Sequence, residues 1–219
     1  TTDDWITEVL DAAGWPATWR TLDTGTVTPG GMQWGAPALN VLQDLAATER
    51  GRIYVDRLGN IEFQDAGHDF TDTRATTSQA TYSDSKAAGT VQFSNVGEIS
   101  YSDQYLTNRV TVTTAEGAGY LSEDTTSQAT YGIRARQIDT LIAAGSDALT
   151  RGLIELTRYA DPALRISQWT VIPAKAGSTA YPKVLGARLA DRVTFELMPN
   201  NVGTRISEDL ILESISHEF

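Results

Sequence analysis

Cysteine is absent from the 219 residues, which excludes disulfides and thiolate metal centres and leaves the redox compartment unread. Histidine is nearly absent: His68 sits in a GHDF loop, and His217 falls in the final expected strand, on the face opposite Ile215. Neither belongs to an HxxxH or HExxH pair, so the usual zinc spacing is missing. No GxSxG presents a serine nucleophile on a tight turn, and GTVTPGG lacks the Lys and Ser/Thr of a phosphate loop. No apolar run approaches the roughly 18 residues of a membrane-spanning helix. Cations are also scarce, with 17 Lys and Arg against 28 Asp and Glu, a formal charge of −11 and a pI near 4.5. Such a balance argues against an exterior that holds nucleic acid by neutralising phosphates; it would repel DNA passing beside it.

What is present belongs to an ordinary folded chain. The hydrophobic fraction of 41% and charged fraction of 21% suit one large or two small domains. Asp69, Asp72, Asp84, Asp103, Glu123 and Asp124 are the acids that a cation would have to gather, but they lack the spacing of a calcium loop and read as solvated surface carboxylates. With so many acids, a carboxylate pair about 5 to 10 Å apart can always be drawn, so their number alone does not indicate a glycosidase. No metal, cofactor or catalytic residue is expected. Trp15, Trp19 and Trp34 share a turn-rich stretch; they read first as cover for the end of a helix and second as a platform for stacking on sugar rings.

Periodicity divides the chain at residue 102. In the first part, WITEVLDAAG spaces Trp5, Ile6, Val9, Leu10 and Ala13 as a helix capped by Asp3 or Asp4 and stopped at Gly14. A second helix is expected from Pro37 to Gly51, with Leu39, Leu42, Leu45 and Ala46 on one side. RIYVDRLGNIEFQD alternates around a Gly-containing turn and predicts a β-hairpin, followed by a Ser/Gly-rich connection. In the second part, RVTVT, LRISQWTVI, RVTFEL and DLILESISHEF alternate as half-buried strands, and one helix over 146–160 turns Leu149, Leu153, Leu156 and Ala160 inward. The expected fold class is therefore α+β. Residues 1–102 form a small α+β domain with two helices and a β-hairpin, and 103–219 form a mainly antiparallel β-barrel or sandwich with one crossing helix.

TTSQATY occurs twice without change, at 76–82 and 125–131. An offset of 49 residues would suit a solenoid or propeller, but the residues after each copy differ, and a repeat fold needs its buried positions to recur. The copies are expected in unrelated roles: the first enters a strand through ATY, and the second is a short helical turn capped by Asp124 or Thr125.

Read in order, LDAAGWPATWRTLDTG, LQDLAATERGRIYVDRLGNIEFQD, LTNRVTVT, SQATYGIRARQIDTL, LTRYADPALRIS and LADRVTFEL followed by DLILESISHEF resemble a minor tail protein of siphoviruses infecting actinobacteria. The resemblance runs from Asp11 to Phe219, and its specificity lies in the order of the pieces. Proteins of this kind are similar to the baseplate hub proteins of contractile phages. The resemblance implies a non-enzymatic structural protein of the virion tail tip, in a ring of three or six copies around the tail channel. Its partners would be other copies of itself and neighbouring tail proteins, with DNA passing nearby unbound. It also implies a further barrel domain before Thr1, in keeping with TTDDW, which reads as the lead-in to a helix within a longer or processed chain. Two alternatives are a carbohydrate-binding module touching the host envelope through Trp15, Trp19 and Trp34, and a cell-wall hydrolase.

Overall fold

The computed structural model describes residues 1–31, 35–176, 179–199 and 203–218. The chain opens with α1 (Thr2–Ala12), whose apolar stripe buries Ile6, Val9 and Leu10. Gly14 ends it at φ 73°, a left-handed conformation that a residue without Cβ adopts freely. A 3-10 turn over Ala17–Trp19 leads into β1 (Arg20–Leu22). Helix α2 (Ala38–Glu49) follows Pro37 and buries Val41, Leu42, Leu45 and Ala46. Leu39, expected on the same side, is 62% exposed. Three-residue steps drift by about 60° each around a helix, and a buried face centred on Val41, Leu45 and Glu49 leaves Leu39 outside it.

The expected hairpin is β2 (Arg52–Val55) and β3 (Ile61–Gln64), closed by an Asp56 carboxylate that accepts from the backbone N–H of Leu58 and Asn60. β1 adds to it in parallel. Two single-turn helices, α3 (His68–Thr71) and α4 (Thr73–Thr76), precede the short strands β4 (Thr81–Ser83), β5 (Thr90–Gln92), β6 (Asn95–Val96) and β7 (Ile99–Ser102). Then come β8 (Arg109–Thr113), β9 (Gly119–Glu123), α5 (Thr125–Tyr131), β10 (Ala135–Asp139) and the long helix α6 (Gly145–Tyr159). β11 (Ala163–Ile166), β12 (Trp169–Thr170), α7 (Ala180–Leu185), β13 (Arg192–Leu197) and β14 (Ile206–Ile211) complete the order.

The fold is α+β, packed as two units. Unit 1 combines residues 1–67 with 103–163, and unit 2 combines 68–102 with 164–219. The chain thus passes between units at 102/103, where the composition changes, and also at 67/68 and 163/164. Unit 1 holds the sheets β1-β3-β2 and β10-β8-β9; unit 2 holds β14-β13-β4-β5 and the pairs β7–β11 and β6–β12. Its core stacks Phe93 on Phe195 at 5.0 Å, with Trp169 tilted between Tyr82 and Phe195.

Several expectations need correction. Among the described residues no sheet closes into a barrel, and the sheets are mixed rather than mainly antiparallel: β10 joins β8, β4 joins β13 and β5 joins β4 all in parallel. Parallel neighbours need crossover connections instead of hairpins, and the largest sheet among the described residues has four strands. The last strand also stops early. Its register pairs Ile211 with Arg192, the first residue of β13, and beyond the bond from Leu212 to Asp191 no strand among the described residues pairs with it. His217 therefore lies beyond the strand, and His68 lies in α3 rather than a loop.

The repeated heptapeptide takes two conformations. In the first copy Thr76 ends α4, and the chain then runs along β13: Gln79 N–H donates to the Arg192 carbonyl, the Ala80 carbonyl accepts from Thr194 N–H, and Thr81 and Tyr82 enter β4. The second copy is α5 from end to end, with the Asp124 carboxylate accepting from Ser127 N–H. Seven residues rich in Thr and Ser have weak helix propensity, so surroundings decide. The main one is buried Asn108, whose amide donates to Ser127 Oγ at 3.1 Å and to the Gly132 carbonyl at 2.8 Å, and accepts from Arg134 N–H at 2.7 Å. Removing it leaves these buried groups unsatisfied, at about 1–3 kcal/mol. Hydrogen exchange of Asn108→Ala will accordingly show about tenfold faster exchange over 125–131 with unchanged protection of 81–83; equal protection of both copies would refute the assignment.

Candidate interaction surface

Alternation along β8 sends Val110 and Val112 to one face, where both are fully buried with Ile142, Ala148 and Leu156. Helix α6 covers this inner face at close range. A Cβ on Gly152 would come within 2.5 Å of Ser122 Oγ, and one on Gly145 would overlap the Tyr120 ring. The opposite face stays wet. Register places it in three rows, Ala135–Arg109–Glu123, Gln137–Thr111–Leu121 and Asp139–Thr113–Gly119, of which the β9 and β10 members are all exposed. One ion pair, Arg109 Nε to Glu123 Oε1 at 3.2 Å, crosses it.

The inward side of α6 differs from the expected leucine stripe. Leu156 and Ala160 are buried as anticipated, but Leu149 and Leu153 are 41% and 57% exposed; Ala148, Arg151, Gly152 and Glu155 take the interior instead. Close approach of helix to sheet favours small residues there, and the i, i+4 pair Arg151–Glu155 faces other charges. Glu155 Oε1 accepts from Arg50 Nε and from Arg151 Nη1, each at 2.6 Å, while Oε2 faces Arg136 Nη1 at 3.5 Å. Arg50, in the left-handed conformation after α2, also donates to Tyr159 Oη at 3.1 Å. Burial pushes the Glu155 carboxyl up, but the charges and hydrogen bonds of Arg50 and Arg151 overcome it and hold the group below its ordinary value. It is an ionised structural hub with no proton to deliver near neutral pH. The cluster escaped sequence reading because its members are far apart in the chain; the Arg151–Glu155 spacing was the one signal available.

A second buried carboxylate behaves oppositely. Glu49 Oε1 accepts from Thr26 N–H at 2.7 Å and Thr26 Oγ1 at 3.0 Å, whereas Oε2 has no hydrogen-bond partner among the described residues. The nearby Thr2 hydroxyl donates to the Val27 carbonyl. Burial pushes Glu49 up by more than the neighbouring Thr2 hydroxyl and the bonds from Thr26 pull it down.

The two described tryptophans of this stretch are held differently. Trp15 packs against the core beside α1, and its indole N–H donates to the Trp19 carbonyl at 3.2 Å. Trp19 is 54% exposed, and Trp34 lies outside the described residues. The six acids serve separate local roles. Asp72 and Asp124 cap α4 and α5, Asp84 pairs with Arg205, Asp103 with Arg134 and Glu123 with Arg109; Asp69 is buried in α3. Among the described residues no group of three or more His, Asp or Glu is placed to hold a metal ion, and no helix is long and apolar enough to cross a membrane. An open depression of about 340 Å³ beside α6 has Leu153 and Leu156 as its apolar part and Glu123 and Asp124 on its rim.

No family model and no curated protein matches the sequence. Solved structures do match. The fold is similar to that of a tail protein from Neisseria meningitidis MC58, at 12% identity and a TM-score of 0.54, over 94% of this chain and 58% of that one. The 43 kDa tail protein of prophage MuSo2 from Shewanella oneidensis aligns over 94% of this chain and 56% of its own, at 17% identity and a TM-score of 0.48. This chain thus spans a little over half the length of either.

Glu155 and Glu49 predict opposite responses to pH. Glu155, lowered in the fold, contributes stability that is complete above the ordinary carboxylate range and is lost as pH falls through its folded value. Glu49, raised in the fold, weakens the structure as pH rises from its unfolded to its folded value. In thermal unfolding followed against pH, Glu155→Gln will be about 3–5 kcal/mol less stable than wild type at neutral pH, and the gap will narrow in acid. Glu49→Gln will be at least as stable as wild type at neutral pH and lose that advantage in acid. Parallel curves for all three proteins would contradict both assignments.

Proposed function

We propose that this chain is a structural, non-enzymatic component of a bacteriophage tail. The observation that carries the reading is the similarity of its fold, over 94% of its length, to the tail protein from Neisseria meningitidis. At 12% identity that similarity concerns the fold; the ordered sequence pieces that resemble siphovirus minor tail proteins supply an independent reason for the same assignment. In the finer form of the proposal the chain belongs to the hub at the tail tip, where three or six copies ring the channel and touch neighbouring tail proteins.

Two physical features support this form. The sheet β10-β8-β9 buries one face under α6 and leaves the other open, as a module needs if its wet faces are to become seams between subunits; repeated head-to-tail contacts then close into a ring. The charge of −11 suits a wall past which DNA slides without adhering. A second reading rests on Trp19, whose exposure leaves a ring face available to stack on a sugar.

Gold-labelled antibody against the chain, applied to purified particles of the phage that encodes it, tests the first reading. Label at the distal end of the tail, with a copy number that is a multiple of three by quantitative mass spectrometry, is the expected result. Particles without label or peptide would refute it, whereas glycan-array binding abolished by Trp19→Ala would favour the second reading.

A further inference from the structure

We infer that Arg136 is the cationic anchor of a seam between copies of this chain, its guanidinium receiving a carboxylate from the neighbouring copy. Three guanidinium groups surround the single carboxylate of Glu155, which leaves the cluster with two positive charges in excess inside a chain whose net charge is −11. The three arginines are not equivalent. Side chains of Arg50 and Arg151 are only 18% and 6% exposed and take Glu155 Oε1 at 2.6 Å, whereas Arg136 is 53% exposed and reaches Oε2 at 3.5 Å. A guanidinium carries five N–H donors in a planar fork suited to a carboxylate, and this long contact uses one of them.

The position of Arg136 favours a protein partner over a small ion. It stands on β10, the edge strand of its sheet, within an exposed run from Ala129 to Gln137 that also presents Ile133, 61% exposed, and Tyr131, 37% exposed. An open strand edge with apolar and cationic side chains beside it fits an acidic protein surface. A second copy of this chain, with 28 acids to 17 bases, carries the excess of carboxylates from which such a partner is drawn. The inference rests on the ring reading above, but its test concerns contacts between copies rather than location in the particle.

Sedimentation equilibrium of the 219-residue chain at salt concentrations from about 0.05 to 0.5 M provides that test. Wild type will self-associate, more weakly as salt rises. Arg136→Glu will raise the dissociation constant about tenfold or more and Arg136→Gln about three- to fivefold. Arg136→Lys, which keeps the charge toward Glu155 but loses the planar fork, will fall between wild type and Arg136→Gln. A monomeric wild-type chain, or Arg136→Glu that associates as tightly as wild type, overturns the inference while leaving the tail assignment standing. Loss of short duplex DNA binding in Arg136→Glu with self-association unchanged overturns it in favour of a phosphate contact.

Discussion

Unit 1 is assembled from two stretches distant in sequence, and one buried carboxylate meets both. Glu155 takes Arg50 from the first stretch and Arg136 and Arg151 from the second. A charge withdrawn from water this completely costs several kcal/mol unless it is matched, so the ends of α2, α6 and β10 must arrive together. Much else follows from that constraint. Helix α6 has to turn its Arg–Glu pair toward the interior, which rotates Leu149 and Leu153 to the surface and brings Ala148 and Gly152 against β8 and β9. The close approach buries the inner face of the sheet and leaves the outer face bare. Unit 2 uses a comparable device, where Arg74 holds buried Asp191 through two contacts of 2.6 Å and ties α4 to the start of β13.

How much of this is legible in the sequence depends on the range of the interaction that decides it. Period-two alternation in RVTVT and RVTFEL is a local signal, and Val110, Val112, Val193 and Phe195 are buried as it implies. The stop of α1 at Gly14 and the turn of the hairpin are equally local. The α6 face, by contrast, cannot be read from the leucines alone, because its orientation is chosen by Arg50, about a hundred residues away along the chain. Strand partnership is just as remote: nothing within ATY says that it will lie parallel to β13. The heptapeptide shows the limit directly, since identical residues become strand beside β13 and helix beside Asn108.

The candidate surface was half legible. One-sided strands imply a wet face, and its rows can be listed once the register is known. Its charged edge could not be foreseen, because Arg136 appears in the sequence as one arginine among many and acquires meaning only beside Glu155. For the tryptophans the reverse holds. They are conspicuous in composition, yet Trp15 is engaged with the core and with the Trp19 carbonyl, and of the two described Trp19 is the exposed one. The finer form of the functional proposal therefore draws more on a sheet face than on any conspicuous residue.

The central claim is that the uncovered face of β10-β8-β9 becomes a seam between subunits in an assembled tail. A cryo-EM reconstruction of that tail at side-chain resolution tests it most directly. The account predicts Leu121, Gln137 and their row neighbours in contact with an adjacent copy. The same face open to solvent in every copy would contradict it.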